Sequence, residues 1–305
     1  MKSLFLIDWV SFTSKVHDVL EIIELLGLTD CNFQAIKGAC GDQDRLYYDG
    51  ISVHFNGRAD MGVWCEMSGH GCRVFETHGT GDYRSIFLTV LDNKDKMNIT
   101  RLDIAFDDHD GLLNIQDIFD DTREKNFVSK FDWYKHEAGS EGTTVYFGSP
   151  RSDIRIRIYD KAAEQKKTGN WIRVELQLRD DRALAFAKAI DEISKTFLGI
   201  MSNYLRFVEP QDGDTNNRRW PTTAYWQNFL KGAEKVTLYT KPGTEYNLGN
   251  LQEFVINQAG GAIDAYLKLL GMEELQKQLK NRSAKMNPKY VELIQRKTRQ
   301  QTLVS

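Results

Sequence analysis

Three short stretches of this chain alternate strictly between apolar and polar residues. They are Arg101–Asp107, Ile154–Lys161 and Trp171–Arg179. A period of two is the geometry of a β-strand, in which successive side chains point to opposite faces. Each stretch is therefore predicted to be a strand with one apolar and one polar face. A register shift of one residue would bury all of its charged side chains.

The polar faces of these strands combine carboxylates, guanidinium groups and one phenol. Their residues are Arg101, Asp103, Asp107, Arg155, Arg157, Tyr159, Arg173, Glu175, Gln177 and Arg179. If the three strands share a sheet, this face has the groups that metal-assisted phosphodiester chemistry requires. Acids would hold a cation, arginines would bind phosphate, and the tyrosine can attack.

The composition is that of an ordinary globular protein and gives no bulk attraction to nucleic acid. Of 305 residues, 41% are hydrophobic and 27% are charged, with a formal net charge of -3. A role on DNA would therefore depend on locally clustered Lys and Arg. No apolar run approaches the ~20 residues of a membrane span, so we expect a soluble cytoplasmic protein without a membrane partner. The four cysteines form no C-x-x-C pair and are expected to be free thiols.

The remaining patterns predict a mixed α+β fold. Strands are predicted at 4–13, 33–38, 44–48, 51–55, 61–67, 101–107, 143–148, 154–159 and 171–179. Helices are predicted at about 15–26, before Asp92, around 115–119, and at 162–167, 182–200, 221–231, 248–270, 273–279 and 289–300. Strands joined by hairpins and helices favour a central antiparallel sheet with flanking helices, followed by a helical C-terminal region.

A polar loop at 209–219 divides this pattern. It contains Pro, Gly, Asn and Asp and separates the strand-rich part from the helices that follow. We therefore expect two domains, a catalytic nicking domain at 1–208 and a helical region at 209–305 for DNA recognition or dimerisation.

Four motifs in this order resemble the replication initiation factor family of the Rep_trans type, which contains rolling-circle initiators and relaxases of plasmids, phages and conjugative elements. The motifs are Thr100–Asp108, Thr144–Ser149 with Ser152-Asp153, Arg155–Lys161 with Glu164, and Trp171–Arg179. Asp8-Trp9, Phe12-Thr13 and the Ser68–Arg73 segment also look like family features. The resemblance spans about residues 4–180 and implies an HUH-endonuclease-like palm, an antiparallel sheet with flanking helices.

The resemblance implies DNA nicking by a tyrosine that becomes joined to the 5′ end and releases a free 3′-OH. Tyr159 occupies the position of that nucleophile. A phenol with a pKa near ~10 is a poor nucleophile at neutral pH and needs a cation or base beside it. Arg157 and Lys161 are the catalytic partners that we predict, as phosphate contacts or, for Lys161, as the group that stabilises the tyrosinate. The alternatives are a structural tyrosine at the sheet rim and a solvated charged face.

Asp103 and Glu175 are the predicted metal ligands, with Asp107 and Glu66 as further candidates. Carboxylate oxygens suit Mg²⁺ or Mn²⁺. The wider nuclease superfamily usually holds its metal with a His-hydrophobe-His strand, and none of the six histidines here forms that motif. The alternative for each acid is an ion pair with a neighbouring arginine.

Further arginines are predicted to bind DNA, namely Arg101, Arg155, Arg173, Arg218 and Arg219. The basic stretch Lys285–Arg299 is an equal candidate for a phosphate contact and for a solvated helix face. Ser68–Arg73 carries two glycines but is interpreted as a plain loop. Trp9, Trp64, Trp133 and Trp171 are able to stack on bases, yet none is assigned that role, because Trp in strands is more often core.

These features predict site-specific DNA nicking and joining through a 5′-phosphotyrosine intermediate, starting rolling-circle replication or conjugative transfer. The expected partners are single-stranded or hairpin origin DNA, a host helicase and a second copy of the chain. The alternatives are an inactive origin-binding module, a metal-dependent nuclease without a covalent intermediate, and an RNA-binding domain.

Overall fold

The computed structural model describes residues 3–58, 60–140, 142–233, 248–253, 255–256, 259–282, 290, 294–295 and 298. The chain forms two compact units, Met1–Thr240 and Lys241–Ser305. The first unit therefore extends past the predicted boundary at 208/209. Phe207 and Trp226 explain this extension, because their rings lie 5.0 Å apart within one aromatic cluster. The assignment of catalysis to 1–208 and of recognition to 209–305 stays a prediction.

The first unit contains twelve strands and eight α-helices among its described residues. The strands are β1 (Leu4–Ser14), β2 (Gln34–Lys37), β3 (Asp44–Tyr48), β4 (Ile51–Phe55), β5 (Val63–Met67), β6 (Met97–Asp108), β7 (Phe127–Ser129), β8 (Tyr134–Gly139), β9 (Gly142–Phe147), β10 (Ile154–Asp160), β11 (Ile172–Arg179) and β12 (Leu205–Phe207). The helices are α1 (Val19–Leu25), α2 (Gly69–His78), α3 (Tyr83–Asp92), α4 (Ile115–Glu124), α5 (Lys161–Glu164), α6 (Asp180–Lys188), α7 (Ile193–Tyr204) and α8 (Ala224–Ala233).

Ten of these strands form one antiparallel sheet in the order β2-β3-β4-β5-β1-β6-β11-β10-β9-β8. The α+β prediction is confirmed. The three alternating stretches are neighbours near the middle of the sheet, as β6, β11 and β10. Their apolar side chains, among them Ile104, Ile156 and Leu176, are fully buried and share one core with Phe75 of α2 and Phe186 of α6. The helices that cover this apolar face leave the polar face of the three strands on the other side.

The segment Ser68–Arg73 is not the predicted loop but the start of α2. The Ser68 side chain caps the helix by accepting from the Gly71 amide. Gly71 packs against the β3–β4 turn so closely that a Cβ there would lie 2.1 Å from the carbonyl oxygen of Gly50. Gly71 therefore allows a close backbone approach, and no pattern in the sequence indicates that the β3–β4 turn is its partner.

Several elements differ from the sequence prediction because tertiary contacts define them. The helix predicted at 182–200 is broken into α6, a 3-10 turn at Ile190–Glu192, and α7. β8 and the two-stranded sheet of β7 and β12 were not predicted, since short strands show too little alternation to be recognised.

The second unit contains two described helices, α9 (Leu248–Glu253) and α10 (Gly260–Arg282), where helices were predicted at 248–270 and 273–279. A kink at Gly271, with φ 80°, interrupts α10. The helix predicted at 289–300 and the basic stretch at 285–299 lie largely outside the described residues. None of the helices in the described ranges has the length and apolarity needed to cross a bilayer.

Candidate functional site

The polar face of β6, β11 and β10 brings the predicted site residues together. The antiparallel register sets Arg157 opposite Glu175 and Tyr159 opposite Arg173 between β10 and β11. Between β11 and β6 it sets Arg173 opposite Asp107. Cross-strand neighbours share a face, so the pairing alone collects the phenol, the carboxylates and the guanidinium groups at one place.

Tyr159 lies at the centre of a charged but dry environment. Its side chain is 2% exposed, and its hydroxyl donates a long hydrogen bond of 3.4 Å to Oε2 of Glu175. The Arg157 guanidinium carbon lies 3.8 Å from the centre of the phenol ring, and Nη1 of Arg157 is 3.9 Å from Oε2 of Glu175. Burial, with the negative charge of Glu175, raises the pKa of Tyr159 well above its usual value. Arg157 and Arg173 act in the opposite direction.

Lys161 lies at the end of β10, beside the same ring. Its ammonium is 5.4 Å from the ring centre of Tyr159 and forms an ion pair with Glu164. Glu164 is also 3.3 Å from Nη2 of Arg157. Glu164 thus contacts both Arg157 and Lys161, the two cations predicted to bind phosphate. These contacts would have to break before both cations could bind the same phosphate.

Asp103 and Glu175 are buried acids whose pKa values are raised. Burial raises the pKa of Asp103 to about 7, and the charges of Glu175 and Asp8 act in the same direction. Burial also raises the pKa of Glu175, again with a contribution from Asp8. Asp103 is held by Arg101, whose Nε and Nη2 lie 3.0 Å and 2.6 Å from its two carboxylate oxygens.

Asp8 is a member of this group that sequence reasoning missed. β1 pairs with β6 with Ile7 opposite Ile104 and Trp9 opposite Asp103, so Asp8 is the extra residue of a β-bulge. Bulges re-aim side chains, and the carboxylate of Asp8 lies 2.9 Å from Nη1 of Arg173. The available signal was a single charge inside the otherwise apolar start of a strand.

Asp107 and Arg173 form a buried pair beside this group. Two hydrogen bonds of 2.6 Å and 2.8 Å join the guanidinium to the carboxylate, and the residues are 3% and 5% exposed. The third nitrogen of Arg173 binds Asp8. All three guanidinium nitrogens of Arg173 therefore contact carboxylates of the protein. The roles of Asp107 as a metal ligand and of Arg173 as a DNA contact stay predictions.

The carboxylates of Asp103, Glu175 and Asp8 suit a divalent cation by their chemistry. Each is an oxygen donor of the kind that Mg²⁺ and Mn²⁺ prefer. Burial, with a smaller contribution from the neighbouring acids, raises the pKa values of Asp103 and Glu175, and a positive ion would stabilise their ionised forms. Within the described residues, however, no three His, Cys, Asp or Glu side chains converge on one point. Ligation would require Asp103 to turn away from Arg101.

The other predicted residues lie at the edges of this site or apart from it. Arg155 stacks on Tyr146 with its guanidinium carbon 4.4 Å from the ring centre. Glu66 lies on β5, two strands from β6. Arg218 and Arg219 lie in a 3-10 turn after β12, where Arg219 binds Asp214 through bonds of 2.9 Å and 2.6 Å. The structure does not bring these last two arginines to the polar face of β10.

Comparisons with known proteins agree with this architecture. Residues 97–296 match the family model described as replication initiation factor, and residues 4–90 match that of the rolling circle replication initiation protein N-terminal domain. A curated relative, the putative DNA relaxase NicK of Bacillus subtilis, is 29% identical over 266 residues, covering 79% of this chain and 74% of that protein. A rolling circle replication initiator protein from Geobacillus stearothermophilus has a similar structure, with a TM-score of 0.72 and 30% identity over 78% of this chain and 99% of that one.

Proposed function

The chain belongs to the replication initiation factor family, and on that basis we propose that it nicks and rejoins DNA through a covalent 5′-phosphotyrosine at Tyr159. The observation that carries the proposal is the contact of the Tyr159 hydroxyl with Glu175 beneath the Arg157 guanidinium. A nucleophile, a carboxylate able to take its proton, and a cation able to bind phosphate thus meet at one point.

In the proposed first step, Oη of Tyr159 attacks the scissile phosphorus. The phenolic proton passes to Oε2 of Glu175 along the hydrogen bond already present. The bond from phosphorus to the 3′ oxygen breaks, and that oxygen takes a proton from water and leaves as a free 3′-OH. The phosphotyrosine keeps the energy of the phosphodiester, so a later attack by a 3′-OH reverses the step and rejoins the strand.

Arg157 is proposed to change partners during this step. In the structure it covers the Tyr159 ring and contacts Glu175 and Glu164. A phosphate placed next to Tyr159 offers the guanidinium two oxygens at once, a better partner than the single contacts of 3.3 Å with Glu164 and 3.9 Å with Glu175. Movement of Arg157 onto the phosphate would uncover the phenol and neutralise charge that develops in the transition state. Lys161 is proposed to join it once Glu164 turns away.

Asp103, Glu175 and Asp8 are the residues that we propose would hold Mg²⁺ or Mn²⁺. A divalent cation, when bound, would polarise the scissile phosphate and offset charge in the transition state. Asp107 is proposed to orient Arg173 instead, since their two-bond contact is buried. Glu66 is a weaker candidate, because one whole strand separates β5 from β6.

The substrate that we propose is single-stranded or hairpin origin DNA of a mobile element, with nicking that starts rolling-circle replication or conjugative transfer. Each chain supplies one Tyr159, so a second cleavage to end a replication round needs another copy or a water molecule, and we propose a homodimer. A host helicase would open the duplex behind the nick. Residues 209–305 are proposed to recognise the origin or to dimerise, with Arg218 and Arg219 among the DNA contacts.

The test uses a supercoiled plasmid that carries the DNA around the gene for this chain. Purified protein is added with Mg²⁺ or Mn²⁺, and nicked DNA is examined for protein attached to its 5′ end. Wild type is compared with Tyr159→Phe and with Tyr146→Phe, a tyrosine on the adjacent strand. We expect an adduct in wild type and Tyr146→Phe, and neither adduct nor nick with Tyr159→Phe.

Other outcomes would select another function. Nicks without an adduct that survive Tyr159→Phe would mean a hydrolytic nuclease, an alternative favoured by the low exposure of this phenol. Binding without any nick in wild type would mean an origin-binding module that lacks cleavage. An adduct that survives Tyr159→Phe and disappears in Tyr146→Phe would move the nucleophile to the neighbouring strand.

A further inference from the structure

A cleft of about 420 Å³ opens on the polar face of the sheet beside the acids. Its walls come from β1, β5 and β6, from the end of β11 and from the loops that precede β3 and β5, and include Trp9, Asp42, Trp64, Glu66, Arg101 and Arg179. We propose that this cleft binds one guanine base of single-stranded DNA and that the Glu66 carboxylate reads its Watson–Crick edge. The inference rests on the proposed function only in taking single-stranded DNA as the substrate.

The aromatic wall of the cleft is held rigidly. The Trp64 indole stacks on His54, with ring centres 4.3 Å apart and planes 24° from parallel. The Trp64 indole N–H donates to Oγ of Ser11 at 2.6 Å, and Ser11 bonds Thr100 at 2.8 Å. A fixed indole offers a flat apolar surface without losing side-chain entropy on binding, as base stacking requires.

Trp9 forms a second aromatic surface and has an unused donor. The Arg101 guanidinium carbon lies 4.0 Å from its ring centre. The buried indole N–H of Trp9 has no hydrogen-bond partner among the described residues. A buried donor without a partner costs free energy, and because this N–H is not accessible in the structure, Trp9 would have to shift before an acceptor atom of a nucleotide could satisfy it.

Glu66 is the feature that selects a base rather than a phosphate. Its side chain is half-buried, and its carboxylate forms no hydrogen bond or ion pair with any described residue. Burial raises the pKa of Glu66, although the charges of Arg101 and Arg45 act in the opposite direction. An ionised carboxylate repels phosphate, so on the proposed DNA-binding face Glu66 is suited to accept hydrogen bonds from the edge of a base.

Guanine is the base whose edge fits an ionised carboxylate. Its N1–H and N2–H₂ are adjacent donors, and two carboxylate oxygens accept them side by side. The Watson–Crick edges of adenine, cytosine and thymine each place an acceptor beside the donor, which a carboxylate would repel. Loss of the N2 amino group, as in hypoxanthine, removes one of the two bonds and leaves the stacking surface intact.

Two guanidinium groups close the cleft on the side toward the acids. These are the guanidinium groups of Arg101 and Arg179. When the Gln177 amide is oriented with its oxygen toward them, that oxygen accepts hydrogen bonds from Nη2 of Arg179 at 2.8 Å and from Nε of Arg101 at 3.1 Å. Both cations line the cleft and would neutralise the phosphate attached to the bound nucleotide. The cleft thus offers an indole for the base, a carboxylate for its edge and guanidinium groups for its backbone.

The position of the cleft fits a strand of DNA that crosses the sheet. The order β5-β1-β6-β11-β10 puts four strand spacings between Glu66 and Tyr159. At about 4.8 Å a spacing, this is on the order of 19 Å across the strands, and the register adds six residues along β6, from Arg101 to Asp107, or about 20 Å, so that the separation is on the order of 28 Å. The guanine would therefore lie a few nucleotides from the scissile phosphate, and the cleft would help to choose where Tyr159 attacks.

The test measures binding of three labelled oligonucleotides by fluorescence anisotropy. EDTA is added to remove divalent cations, so that binding is measured without nicking. The probes are nine-nucleotide thymine strands with a central guanine, hypoxanthine or thymine. Wild type is compared with Glu66→Gln and with Glu24→Gln, an exposed glutamate of α1. We expect wild type and Glu24→Gln to prefer guanine to each other probe by about tenfold or more. Glu66→Gln should lose that preference and bind the all-thymine strand within about twofold of wild type.

Three results would overturn the inference. They are equal binding of guanine and hypoxanthine by wild type, a preference that survives Glu66→Gln, and no measurable binding of the guanine strand. A second readout uses single nucleotides in place of a DNA strand. We expect dGMP, but not dIMP, to quench tryptophan fluorescence. Repeating the anisotropy in Tyr159→Phe separates the two proposals, since the guanine preference needs no nucleophile and the nicking assay needs no guanine probe.

Discussion

The guanidinium carbon of Arg157 lies 3.8 Å from the centre of the Tyr159 ring and covers it. Burial raises the pKa of Tyr159, so the phenol keeps its proton, and the protonated form is the poorer nucleophile. The same arginine that covers the phenol is the cation best placed to bind an incoming phosphate. Under the proposed function, movement of Arg157 onto the phosphate would therefore also expose the Tyr159 phenol.

Arg157→Ala is expected to lower the rate of single-turnover nicking by about 100-fold or more. The variant loses the cation that neutralises charge in the transition state, an effect of about 3 kcal/mol in comparable sites. Arg157→Lys should recover part of the rate, since the charge is kept while the planar stacking is lost. The measurement is the rate of adduct formation at saturating DNA.

Arg155→Ala is the matched control for that change. Arg155 lies two residues earlier on the same face and stacks on Tyr146, not on Tyr159. It should weaken DNA binding and reduce the dependence of binding on salt, while the saturated nicking rate stays within about threefold of wild type. Equal losses of rate in the two variants would show that Arg157 has no special role.

Asp103→Asn is expected to change how stability depends on pH. Because the pKa of Asp103 is raised from 3.8 to about 7, the folded state binds its proton more tightly than the unfolded chain. The stabilising contribution is fully present below about pH 4 and is lost as pH rises through 7. The free energy of unfolding of wild type should therefore fall relative to Asp103→Asn over this window, by at most about 1.4 kcal/mol per pH unit.

Denaturant unfolding of both proteins from pH 4 to pH 8 measures this difference. The constant cost of leaving Arg101 without its partner cancels, because only the slope with pH is compared. A difference that stays flat across the window would mean that Arg101 holds Asp103 ionised throughout.

Asp107→Ala is expected to destabilise the first unit by about 3–5 kcal/mol. The change removes the two-bond partner of the buried Arg173 and leaves it only the single contact with Asp8, and a buried charge that loses its main partner is costly. Glu192→Ala is the control, because its pair with Lys195 is exposed and such pairs contribute little. Urea unfolding measures both, and a loss in Asp107→Ala as small as that of the control would contradict the buried pair.

Asp8→Asn is expected to raise the concentration of Mg²⁺ or Mn²⁺ needed for half-maximal nicking by about 10–100-fold, if Asp8 is a ligand or orients one. The exposed Asp132→Asn serves as control. Titration of each metal against the initial nicking rate is the measurement. An unchanged midpoint with a lower maximal rate would assign Asp8 to the positioning of Arg173 instead.

The alternation of apolar and polar residues was enough to predict β6, β10 and β11, their inward faces and the α+β class. A period of two specifies a face, and the apolar face has to be buried, so these conclusions need no knowledge of neighbours. The motif order likewise predicted the family, and the matched family models confirm it.

Tertiary structure alone decided which polar side chains meet and how they are paired. Asp8 joins the acids only because a β-bulge re-aims it, and a bulge depends on the partner strand. Ser68–Arg73 became the start of α2 because Gly71 fits against Gly50, a contact between segments that are distant in sequence. The sequence predicts the strand position of Tyr159 and the face on which it lies. Its burial under Arg157 depends on the tertiary structure, because it follows from packing between strands. Periodicity fixes directions along a strand, but distances between strands arise only when the sheet is assembled.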